Sequence, residues 1–235
     1  MGSVAWRDRV VLLMTASCLL SLSGTAQDNS RYLISLRAGL LTFVEGKPTV
    51  IRPARGHYNS RMLEPGYRLE THIGDKVEIS LGPGNYLRVG ETAEVVAVQT
   101  APERIHFAIK TGTVILQAPH VKKAPFSLRL STPSGDLVAV KGGRWRVEVS
   151  PSGGVEVLAL KGTADWLKGG QKVTTLLQGS RYTVGNPTSV EFQQTKLEHR
   201  KKDALDRWSD SRSESLLRQE TGVSLSNPAL HIGPN

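Results

Sequence analysis

A run of short segments with period-two alternation, from about Lys76 to Leu167, constrains this chain more than any other feature. KVEISL, YLRV, AEVVAV, IHFAIK, TVILQA, FSLRLS, RWRVEVS and VEVLAL each set apolar residues against polar or charged ones. Such alternation puts one face of a strand in a core and the other in water. In RWRVEVS, Trp145, Val147 and Val149 point one way, and Arg144, Arg146 and Glu148 the other. In FSLRLS, Phe126, Leu128 and Leu130 oppose Ser127, Arg129 and Ser131. These inward rows predict an all-β domain, either a two-sheet sandwich or one rolled, barrel-like sheet.

The links between segments carry turn chemistry. Pro83-Gly84-Asn85 separates KVEISL from YLRV, and Pro151-Ser152-Gly153-Gly154 separates RWRVEVS from VEVLAL. Each pairs a fixed φ with residues that tolerate positive φ, which suits a hairpin. Gly112 and Gly162 are expected as single permissive links between short strands.

Around this block, residues 64–185, the chain changes character. Residues 27–63 hold the strand-like runs YLISLRA, LLTFV and TVI, then the basic, aperiodic loop RPARGHYN. Residues 186–221 form a helical segment, because from about Gln193 to Glu220 there is no Gly or Pro and the composition is charged and Leu-bearing. Ala204, Leu205, Trp208, Leu216 and Leu217 supply a narrow seam at helical spacing. Within it Trp208, Leu205 and Leu216 are the candidate partner anchors, an aromatic flanked by leucines being a common centre of protein interfaces. The alternative role is a brace on the β block, since a helix this poor in apolar residues needs packing to be stable. His199-Arg200-Lys201-Lys202 opposite Asp203, Asp206 and Asp210 is expected to be a charge-laced solvent face. The tail, residues 222–235, is expected to fray.

The N-terminus predicts export. Arg7 and Arg9 precede an apolar-to-small run from Val10 to Leu22, and Ser23-Gly24-Thr25-Ala26 follows. A positive region, a short apolar stretch and small residues before a cleavage point make a signal peptide of residues 1–26. The apolar run is short of the roughly 20 residues that a membrane-spanning helix needs. Lipid attachment at Cys18 is a further option, but Thr15 stands where a Leu is expected. Cys18 is the only cysteine, so a chain beginning at Gln27 has no disulfide framework. The expected location is periplasmic or secreted.

The formal net charge is +9, and removing Arg7, Asp8 and Arg9 would leave +8. Such a balance suits anionic glycans or lipid headgroups, and export argues against nucleic acid. Lys122-Lys123 and Lys141, Arg144 and Arg146 belong to this basic character, read as a solvated face. No metalloprotease, nucleophile-elbow, phosphate-loop or dinucleotide motif is present. The six histidines are dispersed, and His106 alternates with Phe107 as a strand-surface residue. Glu78, Glu91, Glu94 and Asp136 are the carboxylates available to two-carboxylate glycosidase chemistry, but each falls on an expected strand face or turn. The expectation is a non-enzyme without metal or cofactor.

Two stretches together resemble the FecR domain. GYRLETHIGDKVEISLGPGNYLRVGETAEVVAV is similar to its opening, and PFSLRLSTPSGDLVAVKGGRWRVEVSPSGGVEVLALKGTADW to its later half. The Thr132-Pro133-Ser134-Gly135 turn, Trp145 in a strand and Gly162 before a final strand fall where that family places them. Lys141-Gly142-Gly143-Arg144 departs from it, standing where a Gly-Thr pair is usual. The resemblance covers about Glu64 to Trp166. It implies a bacterial extracytoplasmic β domain that, in iron-transport regulators, receives a signal from an outer-membrane receptor and acts on a sigma factor. The nine residues before the apolar run are too few for a sigma-binding segment, so that regulatory role is not carried over. The leading expectation is a recognition module that docks on another envelope protein through a sheet edge or the C-terminal helix. The alternative is a glycan-binding module using Tyr58, Tyr67, Tyr86 and Trp166. A planar row of exposed aromatics would favour the glycan.

Overall fold

The computed structural model describes residues 38–53, 56–57, 61–119, 127–188, 191–198 and 200–225. The chain divides into Met1–Leu33 and Ile34–Asn235, and every described residue belongs to the second unit. The expected signal peptide, Cys18, the YLISLRA run up to Arg37, Tyr58, Lys122-Lys123 and the end of the tail lie outside the described residues.

Fourteen strands and one helix make up the described chain. The early strands are β1 (Leu40–Glu45), β2 (Thr49–Arg52), β3 (Gly56–His57), β4 (Arg68–Glu70), β5 (Lys76–Ser80), β6 (Tyr86–Val89) and β7 (Glu94–Ala101). Next come β8 (Arg104–Ala118), β9 (Ser127–Thr132), β10 (Gly135–Val149) and β11 (Val155–Lys168). The last are β12 (Gln171–Leu177), β13 (Ser180–Val184) and β14 (Phe192–Lys196), followed by α1 (Ala204–Leu225).

All fourteen strands belong to one hydrogen-bonded sheet, which the pairing divides into two layers. The first runs β1-β5-β6, then the second half of β8 and of β10, the first half of β11, and β13-β14. The second runs β3-β2-β4-β7, then the first half of β8, β9, the first half of β10, the second half of β11, and β12. Among the described strands only β8 and β9 pair in parallel. Thus β8, β10 and β11 each begin in one layer and end in the other.

Glycines mark the crossing points. Gly112, inside β8, was expected between two short strands, as was Gly162, inside β11; both instead lie within continuous strands of 15 and 14 residues. The physical reason is backbone contact at the corner. A Cβ on Gly143 would lie 2.1 Å from the Lys161 carbonyl oxygen, and one on Gly162 would lie 2.3 Å from that of Gly142. Gly162 also has φ of +80°, which L side chains resist. The Gly142-Gly143 pair is therefore the crossing of β10 against β11, where the ladder register shifts.

Between the layers lies a single apolar cluster built from the inward rows the sequence predicts. Trp145, Val147 and Val149 of β10 meet Leu128 and Leu130 of β9 and Phe107 and Ile109 of β8, all essentially inaccessible. The Thr132-Pro133-Ser134-Gly135 turn is locked at its base: the Thr132 hydroxyl donates to the Gly135 carbonyl at 2.7 Å. The Ser134 hydroxyl reaches the Gly153 carbonyl of the next hairpin at 2.6 Å.

The C-terminal region differs from expectation at its start. Phe192–Lys196 is strand β14, paired with β13, not the opening of a helix. Its FQQTK sequence has no apolar face to nucleate a helix, while β13 offers it an open ladder, so pairing prevails. The helix begins at Ala204 behind a reciprocal cap. The Asp203 carboxylate accepts from the Asp206 N–H at 2.9 Å, and the Asp206 carboxylate from the Asp203 N–H at 3.1 Å, a capping-box arrangement.

Candidate functional site

The outer face of the first layer carries a file of residues set by register. Phe43 pairs with Glu78, Glu78 with Arg88, Arg88 with Ile115, Ile115 with Arg146 and Arg146 with Leu158. Alternation alone assigns this file to water. Yet Glu78, Arg88 and Ile115 have no accessible surface, because α1 lies across them.

The junction is mostly polar. Glu78 receives Arg88 Nε at 3.0 Å and Arg212 Nη2 at 2.9 Å. Arg88 Nη1 donates to the Gln117 side chain at 2.8 Å, and faces the Ser209 hydroxyl and the Ser213 hydroxyl at 2.8 and 2.9 Å. Arg144 pairs with Asp210 at 2.5 Å, Arg146 with Asp203 at 2.6 Å, and Arg200 with Asp206 at 2.5 Å. The charges around Asp203, Asp206 and Asp210 are therefore docking contacts rather than a solvent face; Asp206 is only 2% exposed. The cause is a row of arginines on β10 that meets the first turns of the helix.

Burial shapes the electrostatics. Burial alone pushes the Glu78 carboxyl up, but the hydrogen bond from Arg212 and the charge of Arg88 outweigh it and hold the group below its ordinary value. The same balance lowers Asp210, where bonds from Lys202 and Arg144 overcome desolvation. A buried carboxylate with two guanidinium partners is a paired structural charge, not a poised proton donor. Glu78, one of the carboxylates weighed for chemistry, is thus committed to docking the helix.

The candidate anchors face the same junction. Leu205 is buried, with its side chain against Gly90 of the sheet. Trp208 is half-buried, donates Nε1 to Glu45 at 2.7 Å, and sets its ring 6.1 Å from Phe43. Leu216 is half-buried and Leu217 is exposed. Two of the three anchors are therefore engaged by the chain's own sheet. Of the aromatics weighed for glycan stacking, Tyr67 and Trp166 are buried and Tyr86 is half-buried under Arg88. The described three form no exposed platform.

Sequence reasoning missed Glu78 and Arg88 because a strand's wet face looks the same whether water or a polar helix covers it. A usable signal was present: Ser209, Arg212 and Ser213 follow Leu205 at i+4, i+7 and i+8, a polar stripe on the face of the seam. Elsewhere, His106 lies on the outer face of the second layer, its Nε2 2.6 Å from the Ser131 hydroxyl. Burial and the nearby charge of Arg129 lower its pKa. Among the described residues no group of three or more His, Cys, Asp or Glu is arranged to hold a metal ion, and no helix is long and apolar enough to cross a membrane.

The second layer ends in an open edge. Among the described strands β12 pairs only with β11; at its end the Tyr182 hydroxyl accepts from the Leu177 N–H at 2.7 Å and donates to the Thr175 carbonyl at 3.3 Å, and Val173 and Leu177 are 52% and 53% exposed. Val140 of β10 is exposed as well.

Residues 67–165 match the FecR protein family, so the chain carries a FecR domain, at nearly the span its motifs indicate. That match relates the β domain to envelope signalling. Two crystal structures of a candidate anti-sigma factor from Parabacteroides distasonis are similar, with 12% and 13% identity and a TM-score of 0.46 in each case. Each alignment covers 55% of this chain and 59% of the other, so it spans about three-fifths of that protein. No curated protein matches.

Proposed function

We propose that this protein is an exported, non-catalytic recognition module of the bacterial cell envelope that docks on another envelope protein through its β12 edge. The observation that carries the reading is the edge of β12, which no described strand beyond β11 pairs, with Val173 and Leu177 exposed on it. An exposed apolar edge strand accepts strand addition unless charge or proline blunts it, and Lys172 is the one charged residue within β12. The FecR match supports a role in envelope signalling. The signal-peptide pattern of residues 1–26 supports delivery to the periplasm. Because Leu205 and Trp208 pack on the sheet, the helix acts here as a brace and leaves recognition to the edge.

The test is photo-crosslinking in intact cells from a reactive residue at Val173, with the product identified by mass spectrometry. A single envelope protein is expected, lost on Leu177→Lys. Crosslinking to no protein, or equal crosslinking after Leu177→Lys, would refute edge docking. Mass spectrometry of the purified protein checks export: the N-terminus should be Gln27, and a chain retaining residues 1–26 or starting at a modified Cys18 would contradict it.

A further inference from the structure

The outer face of the first layer continues past the point where α1 covers it. One step along the strands from Glu78, Arg88, Ile115 and Arg146 come Lys76, Gly90, Thr113 and Glu148. Gly90 N–H bonds the Thr113 carbonyl at 2.9 Å, and Thr113 pairs with Glu148. Here the face opens into a cleft of about 690 Å³ beside the first turn of the helix. Its floor includes the side-chain-free Gly90 and the buried Leu205, with Pro151 at one side.

The charges at this cleft run against the charge of the chain. The protein carries +9, yet both cations lining the cleft are committed. Lys76 pairs with Glu45 at 2.9 Å and Arg146 with Asp203 at 2.6 Å. Asp75 is likewise occupied by the N–H groups of Lys47 and His72, each at 2.8 Å. The acids outnumber these cations: Arg146 is shared by Asp203 and by Glu148 at 3.6 Å, while Glu91 accepts the Gly74 N–H at 2.7 Å. Glu91 is exposed, and the Glu148 and Asp203 side chains are 55% and 45% accessible. All three line the same cleft. Beside it, the turn pinned by Asp75 presents Ile73, 86% exposed.

An apolar floor with an acidic mouth matches one kind of guest. A Lys or Arg lays its methylene stem on apolar surface while its charged head stays polar and paired. We infer that this cleft binds an Arg or Lys side chain of an extended partner segment, with a neighbouring apolar residue on Ile73. Charge complementarity selects the guest: an anionic glycan or lipid, which the chain's net charge would attract elsewhere, is repelled by Glu91, Glu148 and Asp203. The site is separate from the β12 edge and does not rest on edge docking.

The test uses the full mature chain and a fluorescein-labelled peptide, Gly-Leu-Arg-Leu-Arg-Gly, followed by anisotropy and by amide chemical shifts. Binding should weaken with salt and shift the Gly90, Glu91 and Thr113 amides. Replacing both arginines by citrulline keeps shape and removes charge, and should weaken binding by about tenfold or more. The double variant Glu91→Gln/Glu148→Gln should lose a similar factor while its melting curve is unchanged. Leu177→Lys at the β12 edge should bind the peptide normally. Equal affinity for the citrulline peptide, no binding at all, or shifts confined to other surfaces would overturn the assignment. A peptide that depends on Leu177 but not on Glu148 would place it on the edge instead.

Discussion

The two faces of the first layer are built on opposite principles. Its inner face meets the second layer through Trp145, Val147, Val149 and their neighbours, an apolar contact with no charge to neutralise. Its outer face meets α1 through Glu78, Arg88, Arg144, Arg146 and the aspartates at the helix start. Apolar burial is non-directional and insensitive to pH. Buried ion pairs gain little over a hydrophobic substitute, yet removing one partner leaves a bare charge. The core therefore secures the domain, whereas the outer face fixes where one helix sits.

Four changes probe that contrast. The largest effect is expected at the core: Trp145→Ala should cost about 3–5 kcal/mol of unfolding free energy, equally at low and high salt, by denaturant titration. A salt-dependent loss would show that the two faces are not energetically distinct.

Next comes Glu78→Gln, which strands Arg88 and Arg212 and should cost about 3 kcal/mol, near the low end for breaking a buried pair. The pH dependence has a definite sign. A carboxyl held below its ordinary value contributes stability that is complete above the unfolded value of about 4.3. That contribution is lost as pH falls through the lower folded value. Glu78→Gln should therefore flatten the acid limb of a stability profile, while Trp145→Ala should leave its shape intact.

Asp203→Ala removes one half of the helix cap and one partner of Arg146, and should cost about 1 kcal/mol. Circular dichroism should place the loss in the helix before the sheet. The smallest effect belongs to His106. Its lowered pKa favours the neutral ring in the folded state, so its contribution is complete above the unfolded value of about 6.5 and fades as pH drops through the folded one. His106→Gln should remove that shallow slope from thermal melts measured between neutral and mildly acidic pH.

Much of the inner architecture was legible in the residues. Alternation in RWRVEVS and FSLRLS assigned Trp145, Val147, Val149, Leu128 and Leu130 to the core, and all are buried. The motif glycines were legible as special positions but not as corners, because a strand that crosses between layers and two strands joined by a link share one local sequence. The outer face was illegible for a different reason. Period-two alternation reports that Glu78 and Arg88 point away from the core, but whether water or Ser209 and Ser213 meets them depends on contacts more than 120 residues apart in sequence. The seam of Leu205 and Trp208 was visible, whereas the surface it rests on was not.

The strands that change layer have a mechanical consequence. In a sandwich of separate sheets, a sideways pull on one layer is resisted only by side-chain packing. Here β8, β10 and β11 run through both layers, so a tug applied at β12 passes into β11 and along its covalent backbone to the opposite layer. Layers tied in this way cannot slide past one another or peel apart without tearing a ladder. A load hung on the β12 edge would reach the strands beneath α1 as tension in the main chain.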